Sequence, residues 1–350
     1  MQLLQKTLSE IKPLSNKAKQ EAQEFLRSVL ANCGGEISGN SYLTEMIIQY
    51  AGIREESCPQ PPQKCIILAA ADHGIARLGI SAYPMETTVQ MTKSYLLGKG
   101  GNANAMANFC GAELVVVDVG IAGDLSDLPG LVQKKIACGT QDFTQGPAMS
   151  REQAIKAIEI GIELVQEKAA AGCHCFSLSE MGIGNTASNA AVVAALAQVP
   201  PEIVTGRGTG ISDERLKIKI EVVKKGLALN RPDPNDALDV LAKLGGFETG
   251  ALVGVVLGAA ACRAVVVIDG FNAGVAALLA FFLNPLSKNY LLPSHLGKEQ
   301  GHAKVLEILG LKPYLSLGIG LGEASGAALG VDFLSAALEA MRHLKELRKT

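Results

Sequence analysis

The residues best placed to do chemistry lie in Ser179-Glu180-Met181-Gly182-Ile183-Gly184-Asn185-Thr186, which runs straight into the Ala-rich stretch Ala187 to Ala197. An apolar strand pattern, Phe176 to Leu178, enters a loop with two glycines and leaves it as a strong helix former. That order gathers free backbone N–H groups and a helix N-terminus at one point, which suits a phosphate. Glycine permits the tight turn and the close approach of a ligand. Glu180, beside such a cradle, is a candidate for binding ribose hydroxyls. A second loop, Thr205-Gly206-Arg207-Gly208-Thr209-Gly210, reads either as a plain turn or as another part of the same phosphate site. It is not a dinucleotide fingerprint, because Ile211 stands where GxGxxG needs glycine.

A carboxylate recurs in Gly322-Glu323-Ala324-Ser325-Gly326, where a helix pattern begins. Two readings stay open. Glutamate in a first helical turn complements the helix dipole. At the edge of an apolar cleft it would serve as a general base, its pKa raised by burial and lowered again by helix N–H groups. Asp72-His73-Gly74 is read as a capped turn at a strand end rather than a site. Cys173-His174-Cys175 has metal-like spacing, but strand alternation sends His174 to the opposite face, so no zinc site is expected. His295 and His302, with charged residues between them, are expected on the surface or flanking a helix.

These residues need a frame, and the pattern supplies one. Residues 1–32 read as a helix, followed by a polar break to Asn40, a helix over Tyr42 to Ala51, and a loop from Arg54 to Gln63 with three prolines. From there apolar runs of strand length (Cys65 to Ala70, Leu114 to Val119, Cys175 to Leu178, Ala264 to Ile268) alternate with helical patterns near 86–98, 102–110, 151–170, 186–198, 213–229, 246–261 and 273–283. A last helix covers about 324–347. Alternating β and α elements imply an α/β fold with a mostly parallel, doubly wound sheet. The loops Asp72 to Gly74, Asp118 to Gly120, Glu180 to Thr186 and Asp269-Gly270 should then converge on one cleft at the carboxyl ends of the strands.

Composition agrees. The chain has 350 residues, 48% hydrophobic and 19% charged, enough to bury a sizeable core, and its 38 glycines suit close helix–sheet packing. A net charge of -2 and 4% aromatics exclude a basic, aromatic nucleic-acid surface. The eight cysteines form no CxxC pair, and no signal-peptide pattern opens the chain, so a reducing cytoplasm is the expected compartment. The uncharged run Thr249 to Cys262 is 14 residues, short of the roughly 18 that suggest a membrane span.

Taken together, the segments resemble the nicotinate-nucleotide–dimethylbenzimidazole phosphoribosyltransferase family, which activates the lower-ligand base of cobamides. The resemblance covers about residues 64–335. It rests on Ala71-Asp72-His73-Gly74-Ile75, Ser81-Ala82-Tyr83-Pro84, Thr88-Val89-Gln90-Met91, Glu180 to Thr186, Gly206 to Gly210, Gly245-Gly246-Phe247-Glu248, Val267 to Phe271, Ser294-His295 with Gly301-His302, and Leu321-Gly322-Glu323 with Gly326-Ala327-Ala328. It implies a Rossmann-like, mostly parallel sheet flanked by helices (61–330) with a small helical domain from both termini (1–60 plus 331–350). It implies Glu323 as the catalytic base. Nucleotide and phosphate would be bound by Glu180, Gly182, Asn185, Gly208, Lys219 and Asp269. The aromatic base would meet Ser81, Tyr83, Gln90 and Leu321. The substrates would be nicotinate mononucleotide and an aromatic base, with no cofactor and no metal. A homodimer is expected, or a heterodimer with a paralogue. Alternatives are a subunit of a heteromeric relative that activates phenolic bases, or a non-catalytic nucleotide-binding partner. The chain departs from the family at Asn32 to Gly39, at Ala187-Ser188, at Gly297 and at Ala324-Ser325.

Overall fold

The computed structural model describes residues 2–32 and 42–347; the departure at 33–39 lies outside the described residues. Three helices come first: α1 (Gln2–Glu10), α2 (Asn16–Asn32) and α3 (Tyr42–Arg54). The expected single helix over 1–32 is broken, because Pro13 lacks an amide donor and disfavours helical geometry in the residue before it. Then follow β1 (Gln63–Ala71), α4 (Thr87–Leu96), α5 (Asn102–Cys110), β2 (Glu113–Gly120), β3 (Val132–Gln133) and α6 (Arg151–Ala170). The second half holds β4 (Cys173–Met181), α7 (Asn185–Ala197), α8 (Pro201–Val204), α9 (Asp213–Asn230), α10 (Ala237–Leu244) and α11 (Phe247–Ala261). It closes with β5 (Val265–Ile268), α12 (Phe271–Leu283), β6 (Leu291–Pro293), α13 (Gln300–Leu309) and α14 (Ser325–Leu347).

Among the described residues, six strands form one sheet in the order β3-β2-β1-β4-β5-β6, every neighbouring pair parallel. The chain builds outward from β1 to β3, then returns to the other side of β1 and builds β4 to β6. The direction reverses between β1 and β4, and that switch point is where an open parallel sheet leaves a crevice. Alternation sorts the side chains. Leu68, Ala70 and Val116 face α4 and α5, while Ile67, Ala69, Val115 and Val117 join the main core with α6 and α11. Helix α11 is buried from Phe247 to Ala260 because the sheet covers one side and α6 the other. The two helices cross at glycines: a Cβ on Gly254 would stand 1.9 Å from the Ile158 carbonyl oxygen, and one on Gly161 1.9 Å from that of Ala251.

Local signals start the helices. Ser150 and Gln153 form a capping box at α6, and Asp236 accepts the Leu238 and Asp239 amides at α10. Helix α14 is capped from far away in sequence, by Asp269 at the end of β5. Strands β3 and β6 are too short to show a period, so the sequence pattern misses them. Among the described residues, no helix is long and apolar enough to cross a membrane.

Candidate active site

The carboxyl ends of β4 and β5, with segments 80–91 and 295–323, enclose a cavity of about 650 Å³. That volume accommodates a mononucleotide beside a flat aromatic ring. Of the four strand-end loops expected to converge, only Glu180 to Thr186 and Asp269-Gly270 line it. The other two pack on each other instead: Asp72 accepts the Ala122 amide, and its own N–H donates to the Gly120 carbonyl. Asp72 is thus buried outside the cavity, but it does not cap its own turn as the sequence suggests: its Oδ2 bonds a loop fifty residues away. His73 is buried too, and its Nε2 lies 3.0 Å from Glu248 Oε1. Burial opposes charge on this imidazole, but Glu248, with Asp72 and Glu180, outweighs it and raises the pKa.

One end of the cavity is formed by the two glycine loops. Gly184, at φ +100°, turns the chain into α7, where Asn185 and Thr186 line the wall. Gly182 passes so close to β1 that a Cβ there would stand 2.5 Å from the Ala71 carbonyl oxygen. Gly208 and Thr209 line the same end, so the second glycine loop is more than a plain turn. Lys219, buried behind both loops, joins them: its Nζ donates to Thr186 Oγ1 (2.8 Å) and to the Gly206 carbonyl (2.9 Å). Burial lowers its pKa to about 8, with the Glu299 charge pulling the other way. Glu299 itself accepts the Gly208 amide at 2.7 Å. A carboxylate of the chain therefore holds one of the N–H groups that a phosphate would use.

Glu180 stands at the middle. Its Oε1 accepts from Asn272 Nδ2 at 2.9 Å and its Oε2 from Asn185 Nδ2. Burial, with the Glu248 and Asp269 charges, raises its pKa to about 7, although the two amides favour the ionised form. Asp269 also lines the cavity, and its Oδ1 accepts the Gly326 and Ala327 amides at 2.8 and 3.0 Å. Burial lifts its carboxyl above the ordinary range against these bonds.

Glu323 faces the cavity from the loop before α14. It is not in the helix, so the first-turn reading fails; Asp269 answers that dipole. Glu323 and Ala324 both have left-handed φ, 59° and 60°, a conformation that costs an ordinary residue roughly 1 kcal/mol. Glu323 Oε2 accepts the Ala103 amide at 3.3 Å. Burial pushes its pKa up; the nearby Tyr95 hydroxyl and the N–H groups opening α5 push it down, and the net shift is upward. The sequence foresaw opposing helix amides, but they belong to α5. The arrangement brings two glycine loops, the Glu180 carboxylate and the half-buried Glu323 carboxyl onto one cavity.

The DBI_PRT family model, described as "Phosphoribosyltransferase", matches residues 11–350. The chain belongs to this family. It is 46% identical to a nicotinate-nucleotide–dimethylbenzimidazole phosphoribosyltransferase of Chloroflexus aggregans, over 97% of this chain and 95% of that protein. A protein of the same name from Desulforamulus reducens is 43% identical over 98% of this chain and 97% of its own length. The crystal structure of CobT from Thermus thermophilus superposes with a TM-score of 0.87 at 37% identity, covering 93% of this chain and 96% of the other.

The cavity lining shows where each expected site residue stands. Glu323, Glu180, Gly182, Asn185, Gly208 and Asp269 line this cavity, as do Ser81, Tyr83 and Leu321. Lys219 stands just behind the wall. Gln90 does not line it. Thr87 and Met91 supply the α4 wall, and Gln90, one position from Met91 and so turned by about 100°, is exposed. The histidine expectation also fails. His295 and His302 are 2% and 0% exposed, with ring centroids 5.9 Å apart, and His295 lines the cavity. The apolar run Leu291 to Pro293 before His295 is a strand, which carries the ring inward. Burial pushes His302 down to about 3, so it is neutral, and its Nδ1 accepts the Gly297 amide. Asn272 and Glu299 were missed. Asn272 had a signal, since it follows Asp269 into a helix start; Glu299 had none.

Proposed function

We propose that this chain transfers the 5-phosphoribosyl group of nicotinate mononucleotide to an aromatic lower-ligand base, 5,6-dimethylbenzimidazole or a close relative. The products are nicotinate and an α-riboside 5′-phosphate for the nucleotide loop of cobamides. The observation that carries this reading is one cavity lined by both glycine loops, by Glu180 and by the raised carboxyl of Glu323. The names of the relatives favour it over a phenol-activating subunit or a non-catalytic partner.

In this reading the 5′-phosphate sits between the start of α7 and the 208–209 loop, near the Lys219 ammonium, where it competes with Glu299 for the Gly208 amide, while Glu180 and Asp269 hold the ribose. A ring nitrogen of the base attacks ribose C1′ from the face opposite the pyridinium. The electron pair of the breaking C1′–N bond returns to the pyridinium ring, so nicotinate leaves with a neutral ring and needs no general acid. The second ring nitrogen of the base then carries a surplus proton, and Glu323 takes it. Holding donor and acceptor in line supplies much of the rate.

Tyr83 and Leu321, at the base end, are 56% and 58% exposed. Two apolar side chains left open at a cavity mouth support a homodimer in which a second copy covers this end. The helical unit of 1–60 with 331–350 is the proposed contact. The test is a product assay with nicotinate mononucleotide and a panel of benzimidazoles, purines and phenols. A phosphoribosylated benzimidazole plus released nicotinate is expected. Release of nicotinate with none of the panel would overturn the proposal.

A further inference from the structure

A line of buried polar side chains leaves the cavity at Glu180 and ends at His73. Asn272 Nδ2 donates to Glu180 Oε1 at 2.9 Å. Asn189 Nδ2 donates to Asn272 Oδ1 at 2.9 Å. Thr249 Oγ1 lies 3.1 Å from Asn189 Oδ1 and 3.0 Å from Glu248 Oε1. Glu248 Oε1 in turn faces His73 Nε2 at 3.0 Å. Asn189, Thr249, Glu248 and His73 are each at most 2% exposed. No solvent relieves a mismatched hydrogen bond along this line, so a donor facing a donor or an acceptor facing an acceptor is costly.

The line has a direction. An amide has a donor end and an acceptor end, so the orientation of Asn189 sets that of Asn272. Thr249 has one hydroxyl proton and two acceptors in reach. The Glu180 carboxylate can only accept, so Asn272 gives it the NH₂ and turns Oδ1 to Asn189. Asn189 turns its NH₂ to that oxygen, and its own Oδ1 then needs the Thr249 proton, while His73 pairs with Glu248 Oε1. If Thr249 donated to Glu248 instead, its lone pairs would face Asn189 and both amides would turn over. Asn272 would then present a carbonyl oxygen to the carboxylate, acceptor against acceptor.

We propose that Asn189 and Thr249, which do not line the cavity, are positioning residues for the Glu180 carboxylate, acting through the orientation of the Asn272 amide. This rests on the reading of Glu180 as the group that holds the donor's ribose. The ladder keeps the Asn272 N–H on Glu180 Oε1, so the carboxylate stays in one rotamer with lone pairs left for the sugar hydroxyls. Binding of the donor, rather than the chemical step, is what depends on it.

The test is Thr249→Val, which keeps the shape and removes the hydroxyl, alongside Thr249→Ser and Asn189→Asp. Steady-state kinetics and calorimetric binding of nicotinate mononucleotide are the readouts. Thr249→Val should raise the donor's KM and Kd by about ten-fold, the loss of one charge-assisted hydrogen bond. It should leave kcat within about two-fold and the acceptor's KM unchanged, since neither depends on Glu180. Thr249→Ser should restore the donor's KM. Asn189→Asp, which cannot donate to Asn272 Oδ1, should reproduce the defect and serves if Thr249→Val does not fold. A wild-type donor KM in both Thr249→Val and Asn189→Asp would overturn the proposal. So would a fall in kcat with donor KM unchanged, or a Thr249→Ser variant no better than valine. A wild-type chain that neither binds nor turns over nicotinate mononucleotide would overturn the functional reading beneath it, and that result is read without any variant.

Discussion

Lys219 should take up a proton when the donor binds, and the amount can be worked out. In the empty site burial holds its pKa at about 8, against an ordinary 10.5. Restoring the ordinary value requires about 3 kcal/mol of favourable interaction, at about 1.4 kcal/mol per pKa unit. A phosphate dianion about 4 Å from an ammonium supplies on the order of 8 kcal/mol at an effective dielectric of about 20, so the shift is well within reach. At about pH 8.5 roughly a quarter of the free protein's Lys219 is charged, and nearly all of it is charged in the complex, giving an uptake of about 0.7 proton. The Glu180 carboxyl, with a pKa of about 7 in the empty site, is already ionised there and adds little. Calorimetric titration with nicotinate mononucleotide in buffers of different ionisation enthalpy measures the uptake. It should fade toward neutral pH, where Lys219 is charged before binding. Lys219→Arg, which cannot shed its proton, should bind with almost no uptake. An uptake below about 0.2 proton at pH 8.5, or an equal uptake in the arginine variant, would refute the reasoning.

Other outcomes follow from the same geometry. Glu299→Gln keeps the side chain's shape but weakens its hold on the Gly208 amide and removes a charge facing the phosphate. The donor's KM near neutral pH should drop about three- to ten-fold, roughly 1 kcal/mol; an unchanged or higher KM would show that the phosphate sits elsewhere. Glu323→Gln should cut turnover by on the order of 10²–10⁴ with donor binding retained. Because burial raises the Glu323 pKa and only the ionised form accepts a proton, kcat should fall on the acid side through a pKa above the ordinary glutamate range. A profile flat through that region would remove Glu323 from the role. Gly254→Ala would force a Cβ to 1.9 Å from the Ile158 carbonyl oxygen, separating α6 from α11 at a stability cost of about 3 kcal/mol. Urea unfolding within about 0.5 kcal/mol of wild type would mean that this crossing relaxes freely.

Much of the frame was legible because its signals are local. The apolar runs at Cys65 to Ala70 and Cys175 to Leu178 and the glycines of 182–184 each act on their own neighbourhood. Long-range pairings were not. The apolar period of residues 1–32 continues across Pro13 although the backbone cannot, and nothing near Gln90 says which face of α4 turns to the cavity. The histidines were misjudged because the charged residues between them suggested exposure, while the short strand β6 carries His295 inward.

Residue order alone is enough for the α/β alternation, the two glycine loops and the identities of the carboxylates, since backbone propensity and residue chemistry belong to single positions and their near neighbours. What each carboxylate bonds to was decided by packing. Asp269 caps α14, a helix that begins more than fifty residues later in the chain. Glu299 occupies the Gly208 amide, and Glu180 is oriented through Asn272 by groups on α7 and α11. Each of these depends on desolvation and on hydrogen bonds of fixed direction between distant segments, and those exist only once the sheet has brought the segments together.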